Sequence, residues 1–270
     1  TLLVWREQGL GDEMMFLSIM PDLIKKHKNI ILEVDKRLVE TIQRSFPEIV
    51  VRHQRYGQPP YFEAIDHDYD YHVPMGSLMR YLRPTIESFK DSGPFIKFDP
   101  LKKEKFAERL APYKDKLLIG ICWRSGNIDA LRALTYLGIM QWGQLFSIKD
   151  VAWVNLQYGE CEQECLEAEK EFGIEIIRWC DLDLKDDLDD VFALISELDY
   201  VVTVATAVHH MSAASGCETL LITPEGAWNR FNLDYDPWFP NLHPFIVPYQ
   251  NLSEALPLVK DHILKHDKPL

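Results

Sequence analysis

The chain has 270 residues, 47% of them hydrophobic, enough to bury one large core or two moderate ones of roughly 100–150 residues each. It carries 42 acidic and 29 basic side chains, a formal net charge of -13. That balance argues against nucleic acid or an anionic membrane as the main partner, though not against a small anionic ligand held by local cations and amides. No apolar run reaches the roughly 18–20 residues of a membrane span, and no basic segment with an apolar one behind it opens the chain.

Five widely scattered cysteines do not make a disulfide framework, and the expected compartment is the cytoplasm. Cys161 and Cys165 share a helical i,i+4 spacing but lack further ligands nearby, so no metal site is expected there. Thr1 opens directly inside a strand-like run, and a further segment upstream is expected.

Leu2 to Trp5 reads as a buried strand. Helical periodicity runs from Glu13 to about Lys26 through Met14, Phe16, Leu17, Met20 and Ile24, with a kink or break expected at Pro21. A strand at 30–34, a helix at 36–46 ended by Pro47 and a strand at 49–51 complete a parallel crossover series. An irregular, aromatic and acidic stretch follows from Tyr56. A short strand at Tyr71, a turn at Pro74–Gly76 and a helix capped by Ser77 come next. Leu101 to Leu110 is a charged helix of the kind that bridges domains.

Leu117 to Trp123 starts a second series and is almost wholly apolar, as a central parallel strand should be. Strands at 151–156, 174–177, 200–204 and 219–222 alternate with helices at 161–172, 189–198 and 206–215. Gly173 and Gly216 close two of those helices. A last helix spans about 253–265. The predicted organisation is α/β: an N-terminal Rossmann-like unit over 1–100, a linker helix over 101–116 and a C-terminal Rossmann-like unit over 117–270. Ligands in such sheets bind beyond the carboxyl ends of the strands, and here the cleft between the two units is the expected site.

Chemistry concentrates in a few segments. In Val4-Trp5-Arg6-Glu7-Gln8-Gly9-Leu10-Gly11-Asp12, the glycines Gly9 and Gly11 permit a tight turn and close approach of backbone to a ligand. Asp12 is then either a helix N-cap or a cleft carboxylate, kept ionised by the helix dipole and able to take a proton from a hydroxyl. In Val204-Ala205-Thr206-Ala207-Val208-His209-His210, a strand ends and a helix begins, so amides at Thr206, Ala207 and Val208 offer a phosphate site. His209 and His210 are either core histidines or additional donors. Arg124, with Ser125, Gly126, Asn127 and Arg132 after it, is either a solvated loop cation or a phosphate contact. Within Asp181–Asp190 most acids belong to a solvated face, but one near the cleft could hold ribose hydroxyls. The Trp-rich Glu225–Pro240 segment either closes over the cleft or packs between the units.

The segments QGLGDEMMF, DYHVPMGSL, GICWRSGN, VNLQYG, DLDDVFALISELDYVVTVATAVHHMSAASG and DPWFP together resemble the GT-B glycosyltransferases of the heptosyltransferase type. The closest variety is the bacterial glycosyltransferase domain that follows tetratricopeptide repeats; O-GlcNAc transferase is similar at a greater distance. The resemblance covers almost the whole chain. It implies two Rossmann-like domains facing across a cleft, and inverting, metal-independent transfer of a sugar from a nucleotide-sugar donor to a protein or glycan hydroxyl, without a cofactor. By the same resemblance Asp12 matches the base, Thr206, Ala207 and Val208 the donor-phosphate amides, His210 the motif histidine, Arg124 a cationic phosphate contact and Asp189 a ribose-binding acid. One departure stands out: Ala205 occupies a position where the pattern has Asp. Either the donor sugar differs or the chain is an impaired nucleotide- or sugar-binding module of the same fold. An epimerase is a third reading, distinguished by needing no acceptor.

Overall fold

The computed structural model describes residues 1–54, 68–126 and 135–266. The stretch from Tyr56 to Pro60, together with Asn127 and Arg132, lies outside the described residues. Two all-parallel sheets form the frame.

The first sheet contains β1 (Leu2–Trp5), β2 (Ile30–Val34), β3 (Val50–His53) and β4 (Tyr71–Pro74) in the order β3-β2-β1-β4. Between β1 and β2 run α1 (Leu10–Leu17) and α2 (Met20–Lys26). Pro21 sits in the first turn of α2, where its missing N–H costs nothing, so the chain breaks the helix there rather than bending it. A 3-10 turn leads into α3 (Val39–Ser45), and another, Met75–Leu78, leads into α4 (Met79–Leu82). Ser77 lies within that turn and caps nothing.

Helix α5 (Pro100–Leu110) joins the two sheets and is capped by Asp99, which accepts from the amides of Leu101 and Lys102. The second sheet contains β5 (Leu117–Cys122), β6 (Val151–Asn155), β7 (Ile176–Ile177), β8 (Tyr200–Val204), β9 (Glu218–Pro224) and β10 (Leu242–Val247). Their order, β10-β9-β8-β5-β6-β7, is the doubly wound dinucleotide-type order. Helices α6 (Gly143–Phe146), α7 (Glu162–Phe172), α8 (Leu188–Ile195), α9 (Ala207–Ala214) and α10 (Ala255–His266) cover its faces. Gly173 ends α7 in the left-handed region, φ 65°, as a helix C-terminal glycine does.

Among the described residues, strand β10 is the one regular strand that the sequence pattern passes over. Pro244 interrupts it, yet as an edge strand it tolerates a residue without an amide. One apolar core runs across both sheets: Val4, Met14, Phe16 and Phe106 belong to the same cluster as Val154, Phe192, Met211 and Trp238.

Candidate active site

In each sheet the strand order reverses at one point, between β1 and β4 and between β5 and β8. The loops that leave β1 and β8 meet in a cleft of about 540 Å3, lined among others by Gly9 to Asp12, Ser125, Tyr158, Ala205 to Met211 and Ala227 to Arg230.

The first wall is the start of α1. The tight turn after β1 is made by Gln8, whose φ of 64° is left-handed, rather than by either glycine. A non-glycine residue there is strained, and such strain gathers at functional loops. Gly9 is the helix N-cap, in extended backbone with no capping side chain. The helix therefore begins at Leu10, and Asp12 falls inside its first turn. That removes the N-cap reading of Asp12. Its half-buried side chain lines the cleft.

Gly11 has a different reason to be glycine. A methyl group there would come within 3.3 Å of Ala207 Cα, close enough that the two helices would have to move apart by a few tenths of an ångström. The first turns of α1 and α9 abut at this point, so the positive ends of two helices face one cleft. Together they make it attractive to an anion.

The second wall is α9. Thr206 is its N-cap, and its hydroxyl accepts from the Val208 amide at 3.2 Å. The Val208 N–H is thereby engaged by the cap. Thr206, Ala207 and Val208 all line the cleft wall. His210 Nδ1 donates to the Gly11 carbonyl at 2.8 Å, tying the two helices together. His209 Nδ1 donates to the Thr206 carbonyl. A carbonyl can only accept, so each ring carries its proton on Nδ1 and leaves Nε2 as a lone pair. Burial holds both rings neutral: His209 is lowered to about 4, and His210, next to it, is well below the ordinary histidine value. The Nε2 of His210 is buried with no partner among the described residues. In this state His210 presents an acceptor. It becomes a phosphate donor only by taking up a proton, which an adjacent anion favours.

Two sequence assignments do not reach the cleft. Arg124 is turned onto α7, where Nε lies 3.1 Å from Glu164 Oε1 and Nη2 donates to the Glu160 carbonyl at 2.7 Å. The Trp123 indole donates to the same carboxylate at 2.6 Å. Arg124 does not line the cleft. Asp189 is likewise absent from its wall. It accepts from Thr41 Oγ1 at 2.7 Å and from both Nη atoms of Arg44 at 2.9 and 3.0 Å, with Lys102 Nζ at 3.1 Å. Both lone-pair faces of the carboxylate are thus taken by groups that join α8 to α3 and α5.

Among the described residues, the cations that line the cleft are Arg37, Lys185 and Arg230. None was singled out by sequence. Arg37 is held by Asp35 in a fork, 2.8 and 3.0 Å, and by the Lys185 carbonyl at 2.9 Å. The Trp-rich loop divides its work: Trp228 to Arg230 line the cleft, while Trp238 and Phe239 are fully buried. Trp238 packs edge-on against Phe16 and Phe89 across the two sheets. Among the described residues no group of three or more His, Cys, Asp or Glu side chains is arranged to hold a metal ion, and no helix is long and apolar enough to cross a membrane.

This architecture has solved counterparts. A glycosyl transferase family 9 protein from Veillonella parvula superposes with a TM-score of 0.66 at 11% identity, over 98% of this chain and 97% of that one. The Escherichia coli heptosyltransferase WaaC with ADP-2-deoxy-2-fluoro heptose gives 0.62 at 14% identity, over 98% and 99%. The E. coli ADP-heptose lps heptosyltransferase II gives 0.56 at 12% identity, over 97% and 99%. The fold is GT-B. In that fold the cleft described above is the groove between the two Rossmann-like sheets. At these identities the likeness is one of fold. No protein-family model matches the chain. Among curated proteins the chain is similar to Protein FlbA of Caulobacter vibrioides, 32% identical over 264 residues, which are 94% of this chain and 44% of that protein. The GT-B chain thus spans less than half the length of that relative.

Proposed function

We propose that the chain is a glycosyltransferase that moves a sugar from a nucleotide-sugar donor to a hydroxyl of a protein or glycan acceptor, with inversion and without a required metal. The observation that carries this reading is the abutment of Gly11 on Ala207, which sets Asp12 and the first turn of α9 in one cleft. An anion at the α9 end would be the leaving diphosphate, stabilised by helix amides and dipole. Asp12 would take the proton of the attacking hydroxyl. Two of the fold neighbours contain ADP or an ADP-sugar analogue, which supports a nucleotide sugar as the donor class.

Asp12→Asn keeps the shape and removes the base. Transfer should fall by roughly 10²–10⁴-fold, the span of general-base contributions, while nucleoside diphosphate affinity stays as in the parent. A transfer assay beside a titration reads both; parent-level turnover in Asp12→Asn would remove Asp12 from the mechanism. Ala205, exposed on the cleft wall, favours a second reading: a GT-B module that holds the nucleotide without transferring sugar. Robust turnover in the parent chain eliminates that reading.

A further inference from the structure

Arg230 stands at the end of the 3-10 turn Trp228–Arg230 that follows β9. The next two residues, Phe231 and Asn232, both have left-handed φ, 53° and 63°, and this strained corner turns the arginine inward. Its side chain is almost completely buried, 3% exposed. Nη2 donates to the Pro224 carbonyl at 3.0 Å. Nε and Nη1 are buried and have no hydrogen-bond partner among the described residues.

A buried guanidinium with two idle donors is costly to keep unless something else completes it. Asp236 acts on Arg230 only through its charge: its Oδ1 accepts from the amides of Trp238 and Phe239 at 2.9 and 3.0 Å, and its buried Oδ2 has no hydrogen-bond partner among the described residues. Arg230 nevertheless lines the same cleft as the first turn of α9. Of the other described cations on the wall, Arg37 is held by Asp35, and Lys185 carries an ammonium, which lacks the planar guanidinium fork.

We propose that Arg230 is the phosphate-binding cation of the cleft, closing its planar fork on phosphoryl oxygens of a nucleoside diphosphate held against the α9 N-terminus. This rests on the reading of the cleft as a nucleotide-sugar site. A guanidinium fork matches two oxygens of a tetrahedral phosphoryl group, which an ammonium cannot do. The donor phosphate contact then comes from the loop after β9, in place of the loop after β5 that the sequence pattern indicates.

The test is calorimetric titration of ADP, GDP and UDP, and of adenosine, guanosine and uridine, into the parent chain, R230Q and R230K. The tightest diphosphate should weaken about 10- to 100-fold in R230Q, the worth of charge-assisted hydrogen bonds. The matching nucleoside should bind all three proteins alike, R230K should fall between parent and R230Q, and unliganded R230Q should melt no lower than the parent. Equal diphosphate affinity in R230Q and parent overturns the assignment of Arg230 and leaves the nucleotide site standing. Equal loss of nucleoside and diphosphate overturns it too, since that is a structural effect. If the parent binds none of the three diphosphates, the nucleotide-sugar reading falls and this inference with it. Should R230Q fail to fold, R230K carries the comparison, and parent-level diphosphate affinity in R230K overturns the fork.

Discussion

Glu13 follows Asp12 in the chain but does not line the cleft. It is fully buried; it accepts from the Asp35 amide at 2.7 Å and from Arg6 Nε at 2.7 Å. Burial pushes its carboxyl up to about 7, against the smaller opposing pull of Arg6. The folded chain therefore keeps the proton to about pH 7, whereas the unfolded chain loses it near 4.5. Stability from this group is complete below about 4.5 and is lost as pH rises through 7, on the order of 3 kcal/mol in all. Glu13→Gln should lack that slope. Urea unfolding of both proteins at several pH values reads it as a difference, in which the opposite contribution of neutral His209 cancels; parallel curves would refute the assignment.

The place of Asp12 and His210 on the cleft wall is legible because a glycine pair and a strand-to-helix junction mark where parallel sheets present their loops. Arg124 was not, since no local pattern tells that Glu164, a turn into another helix, captures it. Arg230 escaped for the complementary reason: its loop has no period, and its inward turn depends on two left-handed residues that are neither Gly nor Asn in one case, Phe231.

Among elements, α8 is the staple between the two sheets. The carboxylate of Asp189 in its first turn would be raised by burial alone, but hydrogen bonds from Arg44, Thr41 and Lys102 outweigh that and bring it down to about 2. Its neighbour Asp190 pairs with Lys102 at 2.6 Å and Lys105 at 2.8 Å. The Asp189 contribution is present above about pH 3.8, the unfolded value, and is lost as pH falls toward 2. Asp189→Asn should cost about 2 kcal/mol at neutral pH, between the small worth of exposed pairs and the larger cost of breaking buried ones. Nucleoside diphosphate affinity should not change. Unfolding and titration of the same variant decide the point: unaltered stability with weakened nucleotide binding would return Asp189 to the ribose.

The element pattern itself was largely readable. Alternating apolar strands and amphipathic helices predict the crossovers, and Pro21 and Gly173 mark real boundaries. The sequence pattern starts this helix at Glu13 because glycines suggest a turn, whereas in the structure α1 starts at Leu10, Gly9 caps it and Gly11 makes room for Ala207. That second role is tertiary, set by a residue 196 positions away in the other sheet's helix layer, and no local signal encodes it.

At the scale of the molecule, two doubly wound sheets turn the carboxyl ends of their central strands, β1 and β8, toward one groove, and the shared core under Trp238 and Phe16 fixes their approach. We propose that the positive end of α9 in this groove receives a diphosphate. The most direct measurement is amide hydrogen exchange of the parent chain, alone and saturated in turn with ADP, GDP and UDP. With one of them, exchange should slow in the first turn of α9, from Ala207 to His210, and at the facing turn of α1, while α10 remains unchanged. Exchange in the α9 first turn that is the same with and without all three nucleotides would contradict the account.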